Sequence, residues 1–585
     1  MIGDPSLHEC LRALPDLGDP YADERVVVER LLALAPTEAV RDAARRRALR
    51  FVDHVRGTDA GWLSAQNLLA SFPLASAEGV ALLRLAEALL RVPDPETQTW
   101  LIAEKLASFR DARAGGDALV QRVLATALRL AGHTAGEAEL NAGAQTSALR
   151  GWLARTTLRP LVIEGIRRFG EQFVFAQTLD AAVARAAGRA AVTEVHSYDM
   201  LGEGARSAAD AQHNLDAYAQ AIAVLGRAAQ PGPWQARDGI SVKLSAIHPR
   251  FETLQLERVQ EELYPRLLGL AQAARAADIN LTIDAEESER LVLQIALLDR
   301  LLAEPSLRGW EGLGLALQAY MPRALATVEH LLARTKETGR ALAIRVVKGA
   351  YWDAEIKRAQ ELGMPGFPVY TRKWATDLSY LAIAQRLLAS DAPVYPQFAT
   401  HNALTVATLL ELAQAHPQRR YEFQRLHGMG AALYAALHSE APQVPVRVYA
   451  PVGAFRDLLA YLVRRLLENG ANSSFVHQIS DPGVAPAALV DDPVDLARQA
   501  LGQGARLPAL PTGAELFGNR ANSRGLDVQH PPTLLRLLAA TPPVVATGAT
   551  AVLNPARLAE VVGGVDEADA ERAAHSVAGA CAAFA

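Results

Sequence analysis

From about Phe173 onward, short apolar and β-branched runs alternate with longer stretches whose apolar residues recur every three or four positions. The runs begin at Val192 (VTEVHSYDM), Gly239 (GISVKLS), Ile279 (INLTIDAEE) and Leu313 (LGLALQAY). They continue at Ala341 (ALAIRVVKGAYW), Val394 (VYPQFATHN), Tyr421 (YEFQRLHGMG) and Val446 (VRVYAPVG). Each is followed by enough chain for a returning helix. Eight such repeats predict parallel βαβ units closing into a distorted (β/α)8 TIM-like barrel, an α/β fold, over residues 173–480. A doubly wound dinucleotide fold would open on G-x-G-x-x-G, and both GLGLAL and GEGARS lack the third glycine.

The flanking chain has other textures. Residues 1–52 read as a polar helical arm ending in RDAARRRALR, a run that suits a solvated helix face. Residues 53–172 read as an all-helical domain, with amphipathic stretches such as SAEGVALLRLAEALLRV broken at Pro93, Gly115, Gly116 and Gly132. Residues 481–545, rich in Pro, Gly and Asp, read as an extended linker. Residues 546–585 read as strand, turn, strand and one Ala-rich helix, too little to bury a core alone.

Composition narrows the class. Half of the 585 residues are hydrophobic and 21% are charged, which excludes a disordered chain. The formal net charge of -5 gives no global field toward nucleic acid or an anionic membrane. The two cysteines, Cys10 and Cys581, offer neither a disulfide framework nor metal-ligand spacing, so a reducing cytosol and no metal site are expected. The start, MIGDPSLHEC, lacks the order of a signal peptide, and no apolar stretch is long and uncharged enough to span a bilayer.

In such a barrel, chemistry belongs to the C-terminal strand ends. Here those ends carry Lys243, Asp284, Gln318, Arg345, Lys348, His401, His427 and Tyr449. Desolvating so many polar groups on one rim is costly unless they pair with each other or with a ligand. The last helix pattern, DLLAYLVRRLLENG, adds Arg464 and Arg465, with Glu468 one turn further on. Spacing leaves two readings open for that pair, a surface ion pair or a bidentate clamp for a carboxylate.

The segments ISVKLSAIHPRFE, LTIDAEESERL, IRVVKGAYWDAEIKRAQ, YPQFATHN, FQRLHGMG and RVYAPVGAFRDLLAYLVRRLLENGANSSFVHQI closely resemble the proline dehydrogenase domain of the proline utilisation A family. The similarity runs from about Val192 to Ile479, and the helical region before it also looks like that family's. The resemblance implies FAD bound without a Rossmann fold and oxidation of L-proline to Δ1-pyrroline-5-carboxylate by hydride transfer to flavin N5. It implies electrons passed to a membrane quinone by a cytoplasmic protein touching the inner membrane peripherally. Lys243, Arg464 and Arg465 would hold the proline carboxylate, and Tyr351, Leu426 and Tyr449 would wall its ring. Asp284 and Arg345 would be catalytic through orientation and charge, with Asp284 holding the cations in place. Ala285, Gln318, Val347, Lys348, Gly349 and Trp352 match flavin positions. Thr371, Arg372, Lys373, Thr400, His401 and Asn402, with Glu468, match the phosphate and adenosine end. His427 is read as structural.

Two departures from the family pattern shape the expectations. No N-terminal ribbon-helix-helix segment is present, so no DNA partner is expected. The closing segment looks like the opening of an aldehyde dehydrogenase domain whose remainder is absent from this chain, and Cys581 does not match its nucleophile. Two other readings compete: a Schiff-base aldolase using Lys243 or Lys348, and a non-catalytic barrel scaffold.

Overall fold

The computed structural model describes residues 5–58, 94, 97, 174–188, 194–202, 204–229, 231–453, 475–481, 483–520, 522–540 and 550–584. The all-helical domain expected at 53–172 lies almost wholly outside these residues, as do Arg464, Arg465 and Glu468. Two compact units form, Pro15–Gly525 and Met1–Leu14 with Leu526–Ala585. Among the described residues no helix is long and apolar enough to cross a membrane.

The N-terminal helices are α1 (Pro5–Arg12), α2 (Glu24–Ala33) and α3 (Glu38–Gly57), and α4 (Leu179–Ala187) leads into the barrel. The barrel strands are β1 (Glu194–Met200), β2 (Gly239–Val242), β3 (Leu281–Ile283), β4 (Leu313–Gln318), β5 (Leu342–Val347), β6 (Val394–Ala399), β7 (Glu422–Leu426) and β8 (Val446–Val452). They pair in sequence order, all parallel, and β8 returns to β1 to close the cylinder. Each of the eight expected runs supplies one strand. The return helices are α5 (Ala208–Ala228), α6 (Tyr264–Ala277), α7 (Leu291–Ala303), α8 (Ala324–Thr338), α9 (Trp352–Glu361), α10 (Lys373–Ala389), α11 (Ala403–Gln414) and α12 (Ala431–Glu440).

Burial on both faces explains the strand composition: β2, β3 and β4 are buried at every position, as expected where helices cover a parallel sheet. The base of the barrel is closed by charge. Arg447 and Glu422, both fully buried, pair at 2.8 Å, and Gln397 and Gln424 each donate to the same Glu422 oxygen at 2.8 Å. Glu422 and Arg447 sit at the first and second positions of their strands, which leaves the opposite end for a ligand.

Two flanking segments differ from their expected forms. The stretch 481–545, expected as an extended linker, holds helical structure. After α13 (Phe475–Ser480) comes α14 (Pro493–Gly502), capped by Asp492 accepting from the Val494 amide at 2.8 Å. Val494 and Ala497 of α14 pack with Val28 and Leu31 of α2 against Tyr370, Ala375, Leu378 and Ala382. The glycines nearby serve close approach rather than looseness: a Cβ on Gly525 would fall 2.1 Å from the Leu362 carbonyl oxygen. The basic run is likewise docked. In α3, Arg41 binds Asp492 and Asp495, while Arg47 pairs with Glu411 at 3.1 Å and Glu440 at 3.2 Å. Ala44, Ala48, Phe51 and Val52 form the buried stripe of that helix.

In the second unit, α15 (Pro531–Ala540) packs with α1. There β9 (Thr550–Asn554) pairs antiparallel with β10 (Arg557–Val565), and α16 (Ala570–Phe584) follows with no buried residue. Strand, turn, strand and helix appear in the expected order.

Candidate active site

The inward row of side chains steps by two along each strand, so β1 sends Ser197 and then Asp199 inward, and β2 sends Ser241 and then Lys243 at its end. The lower layer is a tight group: Ser197 and Ser241 share a hydrogen bond of 2.9 Å, and Arg345 Nη2 donates to them at 3.0 and 2.9 Å. Arg345 Nη1 then reaches up to Asp284 Oδ1 at 2.8 Å. In the upper layer, Tyr449 donates to Asp284 Oδ2 at 2.7 Å, and Lys243 Nζ lies 3.2 Å from that oxygen. The Arg345 guanidinium also stands over the Tyr449 ring, 5.2 Å from its centroid.

Lys243, Asp284 and Arg345 are buried, so their charges act in a medium that amplifies them. Burial pushes the Asp284 carboxyl up, but Lys243 and Arg345 hold it below the usual carboxylate range. Burial, followed by the negative charges of Asp199 and Asp284, holds the Tyr449 phenol well above its ordinary value. Tyr449 is therefore a permanent donor.

A second charged group lies at the end of β5. Lys348 Nζ donates to Asp377 of α10, and Lys373 Nζ meets the other oxygen of Asp377 at 3.1 Å. Burial pulls the Lys348 ammonium down and Asp377 pushes it back up. Two lysines on one carboxylate leave a positive surplus, with exposed Arg372 beside it at the N-terminus of α10.

Other expected site residues are engaged by the protein itself. Gln318 ties two loops together, donating to the Glu286 carbonyl at 2.8 Å and accepting from the Ala350 amide at 3.1 Å. Gly349 has φ +151°, and a Cβ there would fall 2.3 Å from the Tyr320 ring, so packing demands glycine. Trp352 donates its indole N–H to the Tyr370 carbonyl at 2.8 Å. His401 Nε2 accepts from the Leu426 amide at 3.1 Å, and Thr400 Oγ1 accepts from the Asn402 amide at 3.2 Å. Asn402 caps α11 through Thr405 at 2.9 Å. Val347, Tyr351, Leu426 and Ala285 sit half-buried at the rim. His427 packs edge-on against Phe175 at 5.0 Å.

Thr371 is bonded to α2 and to the segment after α14. Its amide and hydroxyl donate to Glu24 at 3.0 and 2.7 Å, and its hydroxyl oxygen accepts from the Ala509 amide at 2.7 Å. Glu24 sits in a different segment, 347 positions away, so no local pattern pointed to it. Asp199 and Asp377 were also missed. Asp199 lies at a strand end like the residues that were singled out, and Asp377 falls one helical turn after Lys373, so both carried a readable signal.

Residues 182–478 match the proline dehydrogenase family. Residues 64–173 match the family described as the DNA-binding domain of proline dehydrogenase, a finding that stands against the expectation of no DNA partner. The chain is 43% identical over 535 residues to the bifunctional protein PutA of Escherichia coli, covering 86% of this chain and 40% of that protein. It is 40% identical over 560 residues to the bifunctional protein PutA of Rhizobium meliloti, covering 92% of this chain and 45% of that one. A crystal structure of proline utilization A from Bradyrhizobium japonicum, mutant D778Y, superposes with a TM-score of 0.72 at 41% identity, covering 98% of this chain and 56% of that one. The chain thus spans less than half the length of these two curated relatives.

Proposed function

This chain belongs to the proline dehydrogenase family, and on that premise we propose that its barrel oxidises L-proline to Δ1-pyrroline-5-carboxylate with FAD as electron acceptor. The observation that carries the reading is the bonded group Lys243–Asp284–Arg345–Tyr449 at the C-terminal rim, its three charged members buried, a polar cluster suited to an anionic ligand.

The residues present fit a flavin nucleotide. Arg345 Nε is buried without a hydrogen-bond partner among the described residues, and the Lys348–Asp377–Lys373 group carries the surplus positive charge a diphosphate needs. Lys348, Lys373 and Arg372 would hold the phosphates, and Arg345 would face the ring system. When bound, FAD supplies the two-electron sink that takes the hydride leaving the ring carbon.

The chain's own residues do the rest. Lys243, with Arg464 and Arg465, would hold the proline carboxylate, and Tyr351, Leu426 and Tyr449 would wall the ring. Oxidation removes a hydride from carbon and a proton from nitrogen, and the nitrogen lone pair must be free to form C=N. Bound proline must therefore be the neutral amine, and Lys243 and Arg345 lower its basicity so that its extra proton leaves to solvent. Asp284 locks Arg345 and Tyr449 in place. A lysine facing two carboxylates, as Lys243 does, is poorly disposed to attack a carbonyl, which disfavours the aldolase reading. Passage of the electrons to a membrane quinone through a peripheral contact, by a protein of the cytoplasm, extends this reading on the family resemblance. That the PutA relatives are called bifunctional is said of those proteins.

The test is an absorbance spectrum of the purified protein before and after anaerobic L-proline. Flavin bands that bleach with proline are expected. A flavin-loaded protein whose bands proline leaves untouched overturns the proposal, and borohydride trapping of a substrate adduct would favour the aldolase.

A further inference from the structure

Asp199 closes the inward row of β1 and is 1% exposed. Its Oδ1 accepts from Lys243 Nζ at 2.7 Å, closer than Asp284 at 3.2 Å or the Tyr449 hydroxyl at 3.4 Å. Both oxygens of Asp284 already accept shorter bonds, from Arg345 at 2.8 Å and Tyr449 at 2.7 Å. Among the described residues the nearest counter-ion of Lys243 is thus Asp199, whereas the family resemblance gives Asp284 the part of holding the cations.

A lysine ammonium is a compact charge on a flexible stem, with three N–H bonds that rotate together. Two carboxylates at the ends of different strands hold Nζ between them, and so fix where its positive charge lies. Without Asp199 the nearest carboxylate among the described residues is Asp284 Oδ2, where Lys243 would compete with Tyr449 and shift from its place.

We propose that Asp199 is a positioning residue for substrate recognition: through its ion pair it aims Lys243 at the carboxylate of a cyclic amino acid bound at the rim. This rests on the reading that the rim takes proline. Its alternative is a carboxylate that only stabilises the barrel, and the two differ in what they do to binding.

The experiment compares Asp199→Asn, Lys243→Met and the double variant in flavin-loaded protein. Asparagine keeps the shape and an acceptor but removes the charge, so the KM for proline should rise about tenfold with kcat nearly unchanged. The dissociation constant of tetrahydro-2-furoate, the oxygen-ring isostere of proline, should rise by a similar factor in a flavin-absorbance titration. In the Lys243→Met background, Asp199→Asn should add nothing, because its target is gone. Losses that add in the double variant, or a KM that falls when the negative charge is removed, overturn the proposal. Should Asp199→Asn fail to fold, Asp199→Glu keeps the charge and displaces Nζ: a raised KM supports positioning, and an unchanged KM refutes it. Failure of wild-type protein to bleach with proline would instead refute the rim's assignment to proline.

Discussion

Tyr449 donates its hydroxyl to Oδ2 of Asp284 at 2.7 Å, the same oxygen that Lys243 approaches at 3.2 Å. One carboxylate oxygen therefore sets the position of both a ring wall and a cation. Tyr449→Phe keeps the ring and removes the donor, so Lys243 gains a stronger hold on Asp284. We expect kcat/KM for proline to fall about five- to tenfold, with flavin content unchanged. Steady-state kinetics beside the flavin-to-protein absorbance ratio checks both.

The Asp284 carboxyl responds to acid in a defined direction. Burial opposes its ionisation, but Lys243 and Arg345 hold its folded value below the unfolded one of about 3.9. Ionised Asp284 therefore stabilises the fold above that unfolded value, and the contribution is lost as pH falls through the folded value. Urea unfolding of wild type and Asp284→Asn should differ by a constant amount from about pH 8 to 5, narrowing only below about pH 4. A gap that closes between about pH 7 and 5 would contradict the depressed value.

Lys348 and Lys373 share Asp377, and the shared carboxylate neutralises only one of them. Lys348→Met removes the surplus charge while keeping the length of the stem. The flavin dissociation constant is expected to rise about tenfold, and its dependence on salt to weaken. Flavin retained per chain after gel filtration at two salt concentrations reads both effects. Unchanged retention would remove Lys348 from the phosphate site.

Leu31 of α2 is 1% exposed in the cluster that α2 and α14 form over α10. Leu31→Ala should destabilise the protein by about 2–4 kcal/mol, measured by urea unfolding. A loss under about 0.5 kcal/mol, typical of a surface position, would mean that the arm is not part of the folded core.

The local periodicities were enough for the barrel. Alternation by two and by three or four is set by backbone geometry within each segment, so every strand from β1 to β8 stood where its apolar run predicted. The rim followed from the same geometry, because strand ends are local features: Lys243, Asp284, Arg345 and Tyr449 meet there. Asp199, near the tail of VTEVHSYDM, carries the same signal.

Composition alone misled at 481–545. Glycine and proline are enriched both in loose chain and in chain pressed flat on a neighbour, and only the neighbour tells the two apart. Gly525 against Leu362 is the second kind. The basic run of α3 misled similarly, because the carboxylates that bind it, Asp492 and Glu440, belong to distant segments.

What the sequence by itself determined is the succession of strands and helices and the inward-facing polar ends, since both follow from bonds between near neighbours in the chain. What only the tertiary structure decided is who partners whom: Asp199 closer to Lys243 than Asp284 is, and Glu24 on Thr371. Those pairings arise where strand closure and helix docking bring together groups far apart in the chain, and the strength of a buried charge pair depends on a separation that no one-dimensional spacing encodes.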